Sequence, residues 1–190
     1  TESLDQTPSP GVWEKNSSGV YFNVREFGQS NVYHADVKGK VKKITNGNHM
    51  LTMNDLVGSN AVATWTDPSN PSDIISFSID KPNKINRLTD VNKDIFYNVE
   101  FGEVEEITYK SVDEKYVQGW IVKPPNFDSN KKYPLVLRIH GGPHSMYHVG
   151  FNYNFQLHAA QDQVVLYTNP RGSTGYGYDF ANAIQNAYPG

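Results

Sequence analysis

The sequence predicts an all-β half, a β-propeller remnant of about two blades, followed by the opening part of an α/β domain. Three observations carry that reading. Between Gly19 and about Gly102, short runs of β-branched and aromatic residues alternate with clusters of Gly, Asn, Asp, Pro and Ser. Within that stretch a pattern recurs at an offset of 44 residues. Beyond Val104 the texture changes to a hairpin and then strand, helix, strand, helix.

In chain order, Val20-Tyr-Phe-Asn-Val-Arg, Val32-Tyr-His-Ala-Asp-Val, Ala61-Val-Ala-Thr-Trp-Thr and Ile74-Ile-Ser-Phe-Ser-Ile suit strands. Branched and aromatic side chains pack well on a pleated surface. Gly28-Gln-Ser-Asn, Asn46-Gly-Asn and Asp67-Pro-Ser-Asn-Pro read as turns between strands. The repeat aligns Tyr33-His-Ala-Asp36, Lys40 and Ile44-Thr45 with Phe77-Ser-Ile-Asp80, Lys84 and Leu88-Thr89. A strand ends at an Asp, a polar turn follows, and the next strand is expected to begin at the Ile/Leu-Thr pair. The offset matches the period of about 40–45 residues of four-stranded propeller blades; the competing reading is two unrelated hairpins with similar turns. Trp13, Trp65 and Trp120 each sit in a strand-like run and are expected to pack in the core or between blades.

In the second half, residues 107–111 and 116–122 alternate across Val112-Asp-Glu-Lys as a hairpin, and residues 124–132 read as a loop. Residues 133–140 are nearly continuously apolar, which suits a strand covered on both faces. Residues 151–161 can form a helix, residues 164–168 a second buried strand, and residues 179–187 the start of another helix. The expected boundary divides residues 1–103 from residues 104–190.

Composition removes several classes. Lys plus Arg number 17 and Asp plus Glu 20, giving a formal net charge of -3, so no electrostatic grip on nucleic acid or anionic lipid is expected. The Lys38-Gly-Lys-Val-Lys-Lys43 cluster reads as a solvated turn. The chain has no cysteine, which removes disulfide scaffolds, zinc-thiolate sites and cysteine nucleophiles. Its apolar runs fall far short of a membrane span. The opening Thr1-Glu-Ser-Leu shows neither a leader nor an initiator Met, so a cytoplasmic protein represented by an internal piece is expected.

The most specific signal is His140-Gly-Gly-Pro-His144, where a buried strand should end at the edge of an open sheet. A glycine turn there lets backbone approach an acyl carbonyl, and a free N–H can donate to its oxygen as negative charge develops. Gly142 is the candidate donor because Pro143 has no N–H, and Gly141 is expected to supply conformational freedom. The bland alternative is a turn needed only for chain reversal. His140, His144 and His148 recur every fourth residue, but the intervening Gly-Gly-Pro forbids the helix that would stack them as metal ligands. Gly172-Ser-Thr-Gly-Tyr-Gly177 lacks the Lys of a phosphate loop, and Ser173 lies outside any Gly-x-Ser-x-Gly turn.

His140-Gly-Gly-Pro-His, Phe155-Gln-Leu-His-Ala-Ala, Asn169-Pro-Arg-Gly-Ser-Thr-Gly-Tyr-Gly and Phe180-Ala-Asn-Ala-Ile together resemble the prolyl oligopeptidase family of serine peptidases. The acylaminoacyl-peptidase-like and dipeptidyl-peptidase-like bacterial members are the most similar. The resemblance implies that residues 1–103 hold the last blades of a propeller and residues 104–190 the N-terminal part of an α/β-hydrolase domain. It implies action on short peptides, no metal or organic cofactor, and a parent that could be a homo-oligomer. Gly142 maps to the oxyanion-hole donor, and Arg171, Gly172, Gly175 and Gly177 map to a structural turn. The Asp113-Glu114 turn departs from the Asp-Gly usual there. No Gly-x-Ser-x-Gly occurs in the chain, so the Ser-Asp-His triad is expected beyond Gly190 and the chain alone is expected to be inert. Two rivals stay open: a carboxylesterase or lipase with a similar glycine motif, and a non-enzymatic propeller-like binding module.

Overall fold

Alternating apolar residues build two sheets in the computed structural model, which describes residues 4–187; the outer bounds expected at Thr1 and Gly190 lie outside the described residues. The chain forms two compact units, one running up to Asp94 and including His148–Phe151, the other comprising Ile95–Tyr147 and the residues from Asn152 onward. Strands dominate and helix is scarce. Among the described residues no helix is long and apolar enough to cross a membrane.

The first unit consists of two antiparallel meanders. The first contains β1 (Val12–Trp13), β2 (Gly19–Glu26), β3 (Gln29–Asp36) and β4 (Val41–Lys43), and the second β5 (Met50–Val57), β6 (Asn60–Asp67), β7 (Asn70–Ser78) and β8 (Lys81–Arg87). One face carries a core of Tyr21, Val32, Leu51, Ala61, Ala63, Ile75 and Phe77, all buried, and on β2 and β3 the other face is buried too, through Phe22, Val24 and Tyr33. Each large apolar side chain so buried contributes about 1.5–3 kcal/mol.

Between the meanders the ladder is thin, a single parallel register pair of Ser30 with Met50. Polar side chains strengthen it. Buried Asn23 donates from Nδ2 to the Leu51 carbonyl at 2.6 Å and accepts the Met53 N–H at 2.9 Å. Ser30 Oγ donates to the same Leu51 carbonyl at 2.7 Å. These bonds supply across the gap what a backbone ladder would otherwise supply.

The repeat has a physical basis that differs from expectation in one respect. Ile44-Thr45 and Leu88-Thr89 follow β4 and β8 instead of opening the next strand. Thr45 Oγ1 accepts the Val32 N–H at 2.8 Å, and Thr89 Oγ1 accepts the Ile74 N–H at 2.9 Å. Each hydroxyl thus caps the end of its strand against the preceding one. Trp13 also departs from expectation: it is 63 % exposed, whereas Trp120 is buried and Trp65 half-buried beneath Arg87. Strands β5 and β8 escaped the sequence reading because polar residues interrupt them.

The second unit begins with α1 (Lys93–Phe96), then the hairpin β9 (Val104–Lys110) and β10 (Tyr116–Val122), followed by β11 (Leu135–Arg138), α2 (Tyr153–Ala159), β12 (Val164–Asn169) and α3 (Tyr178–Asn182). The sheet order is β11-β12-β10-β9, with β11 parallel to β12 and the other pairs antiparallel. Trp120 on β10 stacks on Tyr167 of β12 at 5.2 Å. The segment before β9 belongs to this unit because buried Gln156 grips Gly102 through two bonds, Gly102 N–H to Oε1 at 2.7 Å and Nε2 to the Gly102 carbonyl at 3.1 Å. Asn152 caps α2 by accepting the Phe155 N–H, which starts the helix slightly later than residue 151. Residues 133–140 were expected to be covered on both faces. Instead β11 pairs only with β12 among the described residues, and Leu135, Leu137 and Ile139 are exposed.

His148–Phe151 joins the first unit through main-chain bonds, Val149 N–H to the Gly28 carbonyl at 2.9 Å and Phe151 N–H to Thr66 Oγ1 at 3.1 Å. Val149 is buried. Near it, His49 is buried edge-on against Trp65. Burial holds its pKa below the ordinary value; Lys43 acts in the same direction and Asp67 opposes them.

Two measurements follow. Thr45→Val leaves the buried Val32 N–H without an acceptor and should cost about 1–3 kcal/mol in urea unfolding, with Thr45→Ser costing less. Because folded His49 prefers the neutral ring, its contribution is complete above its unfolded pKa of about 6.5 and declines as pH falls below that value. The urea midpoint should therefore drop between pH 7.5 and pH 5.5, and His49→Gln should reduce the drop.

Candidate functional site

Parallel pairing decides where the glycine turn lies. Strands β11 and β12 run in register from Leu135 opposite Val164 to Arg138 opposite Tyr167, so both chains leave the sheet at the same end. The turn after β11 carries His140 to Tyr147, and the turn after β12 carries Pro170 to Gly177. Carboxyl ends of parallel strands are where open sheets bind ligands.

Gly142 lies on the surface with φ +135°, a conformation that side-chain-bearing residues rarely adopt. A Cβ placed there would meet the His144 nitrogen at 3.0 Å. Gly141 has no positive φ, and a Cβ there would meet nothing within 4 Å. The conformational freedom expected of Gly141 is therefore required at Gly142. Among the described residues the Gly142 N–H donates to no acceptor.

Residues 169–174 grip this turn at several points. Asn169 is fully buried and clamps Tyr147, accepting its N–H at 2.7 Å and donating to its carbonyl at 2.9 Å. The Thr174 N–H donates to the Ser145 carbonyl at 2.9 Å. His144 Nδ1 donates to the Gly172 carbonyl at 3.1 Å. His140 Nε2 lies 2.9 Å from Ser173 Oγ, and its Nδ1 lies 3.1 Å from the Gly141 carbonyl oxygen. Gly172, at φ +93°, holds its own turn close to the next helix: a Cβ would strike Ile184 Cδ1 at 2.6 Å.

A polar network continues inward. Asn169 Nδ2 donates to Tyr176 Oη at 2.7 Å, the Tyr176 hydroxyl donates to Gln118 Oε1, and Gln118 Nε2 donates to Glu106 at 2.6 Å. Burial raises the Tyr176 pKa, with Glu106 adding and the Asn169 bond opposing. Tyr176 is therefore a neutral hydrogen-bonding post. Arg171 Nη1 meets Asp113 Oδ2 at 3.3 Å, tying this turn to the β9–β10 hairpin. Burial alone would raise the Asp113 pKa, but the Ser111 hydroxyl, backbone N–H groups and Arg171 outweigh it and hold the carboxyl low. Glu114 beside it has φ +63°, the conformation that suits a glycine.

The turn opens onto a cleft of about 650 Å³ whose walls include Tyr109, Val117, Ile139, Arg171 and Ile184. Ser173 pairs with a histidine, yet it is fully buried and its Oγ lies 2.6 Å from the Pro170 carbonyl oxygen. No carbonyl carbon can reach it. The three histidines at every fourth position go to different partners: His140 to Ser173, His144 to Gly172, and His148 into the first unit, where its Nδ1 accepts the Gly150 N–H. Sequence reasoning missed Asn169 and the His140–Ser173 pair. An Asn ending an apolar strand directly before Pro-Arg-Gly was the available signal, since a buried amide demands partners.

The profile of the Prolyl oligopeptidase family matches residues 149–190. Over 181 residues, 94 % of this chain, the sequence is 34 % identical to Uncharacterized peptidase YuxL of Bacillus subtilis, of which it covers 27 %. It is 29 % identical to Dipeptidyl-peptidase 5 of Porphyromonas gingivalis over 94 % of this chain and 26 % of that one. The acylaminoacyl peptidase of Pyrococcus horikoshii superposes with a TM-score of 0.81 at 30 % identity, over 96 % of this chain and 28 % of its own.

These similarities support the prolyl oligopeptidase family for this chain. The chain spans about a quarter of the length of the curated relatives it matches. The grip of Asn169 on Tyr147 is a stability determinant that can be measured directly. Asn169→Leu leaves the Tyr147 N–H and carbonyl unpaired and should cost about 2–4 kcal/mol, read as a lower urea midpoint.

Proposed function

We propose that this chain supplies the oxyanion-holding segment of a serine peptidase of short peptides, whose nucleophile, acid and base lie in sequence outside these 190 residues. The observation that carries the reading is the Gly142 N–H: it is exposed, uncommitted to any described acceptor, and placed at the carboxyl end of a parallel strand. The two β-meanders of the first unit fit the closing blades of a propeller that restricts entry to small substrates.

On this reading a serine Oγ attacks the scissile carbonyl carbon while a histidine takes its proton. The carbonyl π electrons move onto oxygen, where the Gly142 N–H donates to the developing charge. Collapse expels the amine, which takes the proton from histidine, and water then hydrolyses the acyl-enzyme. Gly141 contributes the other end of the same peptide unit. The reading calls on no metal or organic cofactor. Similarity to peptidases of the prolyl oligopeptidase family favours it over a carboxylesterase, a lipase or a propeller-like binding module.

A fluorophosphonate probe should leave residues 1–190 unlabelled and label the full-length protein. The full-length protein should also turn over aminoacyl anilides. Gly142→Ala keeps the N–H but is strained at φ +135°, so it should turn the donor away from the oxyanion and lower kcat by up to about 100- to 1,000-fold, the usual cost of losing one oxyanion donor. Labelling of residues 1–190 alone, or full activity in Gly142→Ala, would overturn the proposal.

A further inference from the structure

We infer that His140 is a positioning residue for the Gly142 amide, anchored by the buried hydroxyl of Ser173. This rests on the oxyanion role just proposed. The Gly141 carbonyl and the Gly142 N–H are opposite ends of one planar peptide, so holding the oxygen sets the direction of the hydrogen. His140 Nδ1 stands 3.1 Å from that oxygen and, as the protonated nitrogen, donates to it. With the proton on Nδ1, Nε2 accepts the Ser173 hydroxyl at 2.9 Å. One ring therefore links the donor peptide to the turn after β12.

The anchor is rigid. Ser173 has no solvent exposure, and its N–H donates to the Pro170 carbonyl at 3.0 Å. The His140 ring also meets Tyr147 edge-on at 5.2 Å, and Tyr147 in turn packs against Phe155 and Tyr167. A donor that is already aimed stabilises developing charge without reorganising, whereas a freely rotating peptide loses most of that advantage. Neither His140 nor Ser173 touches the reacting atoms; both act through the Gly141–Gly142 peptide.

The test uses the full-length protein, with every rate expressed per active site titrated by a fluorophosphonate, so misfolded molecules do not count. His140→Ala and Ser173→Ala should each lower kcat about tenfold or more while KM stays within about twofold. Affinity for a peptide aldehyde, which forms an oxyanion, should fall in parallel with kcat. His140→Asn keeps a donor near the Nδ1 position and should recover part of the loss. The double variant should be no slower than His140→Ala, because both changes break one chain of contacts. Unchanged kcat per titrated site in His140→Ala and Ser173→Ala, or an equal loss of substrate and aldehyde affinity, would overturn the inference. If Gly142→Ala is crippled while His140→Ala is not, the oxyanion role stands and only the positioning role falls. If Gly142→Ala is also fully active, both fall.

Discussion

The parallel pairing of β11 with β12 is the constraint from which the rest of the site follows. Two parallel neighbours must deliver their chains to the same edge, so the turns after them share a small volume whose backbone groups cannot all reach water. Each turn satisfies the other. Asn169 serves both polar groups of Tyr147, Thr174 serves Ser145, and His144 serves Gly172. The Gly142 N–H stays exposed and, among the described residues, without an acceptor.

The first unit meets a similar problem by different means. Its two meanders share almost no backbone ladder, so side chains of Asn23 and Ser30 complete the connection and the hydroxyls of Thr45 and Thr89 close the strand ends. Such bonds contribute only about 0.5–1.5 kcal/mol each when made, but leaving a buried partner unmet costs more. Specificity of register therefore rests on a few polar residues in an otherwise apolar core. This explains why the repeat is visible in sequence at its turns and its threonines while its strand interiors diverge. Core positions accept several apolar residues of suitable size, whereas an acceptor for a buried N–H must be a polar atom at one place.

How far the sequence was legible follows the same logic. Strands β2, β3, β6 and β7 were readable because their branched and aromatic residues are contiguous. Strand β8, Lys-Pro-Asn-Lys-Ile-Asn-Arg, was not, because it lies at the sheet edge with mostly exposed residues and needs no apolar pattern. Strand β5 was obscured by Thr52 and by the register shift between Met53 and Asp55. The glycine turn was located from its motif, yet local composition could not decide which glycine adopts the unusual φ. That depends on the close approach of His144 and Ser145 to Gly142. The pairing of His140 with Ser173 spans 33 residues and exists only because two strands are parallel. No local pattern encodes it.

The same geometry bears on where an attacking group would have to come from. Gly142 lies at the end of β11, and β12 already occupies one side of that strand. An oxygen held by the Gly142 N–H fixes its carbon within one bond length, so a nucleophile must arrive about 3 Å from that carbon. Groups within β12's own turn fail this requirement, since Ser173 is buried and committed to Pro170. The remaining approach lies along the uncovered side of β11, where Leu135, Leu137 and Ile139 are exposed at two-residue spacing. A row of that period suits the face of a strand that another element covers. On the proposed function, one added parallel strand would pair with the open edge of β11 and end beside Gly142, and the helix connecting it would cover those side chains. A single packing requirement and a single chemical requirement thus point to the same position.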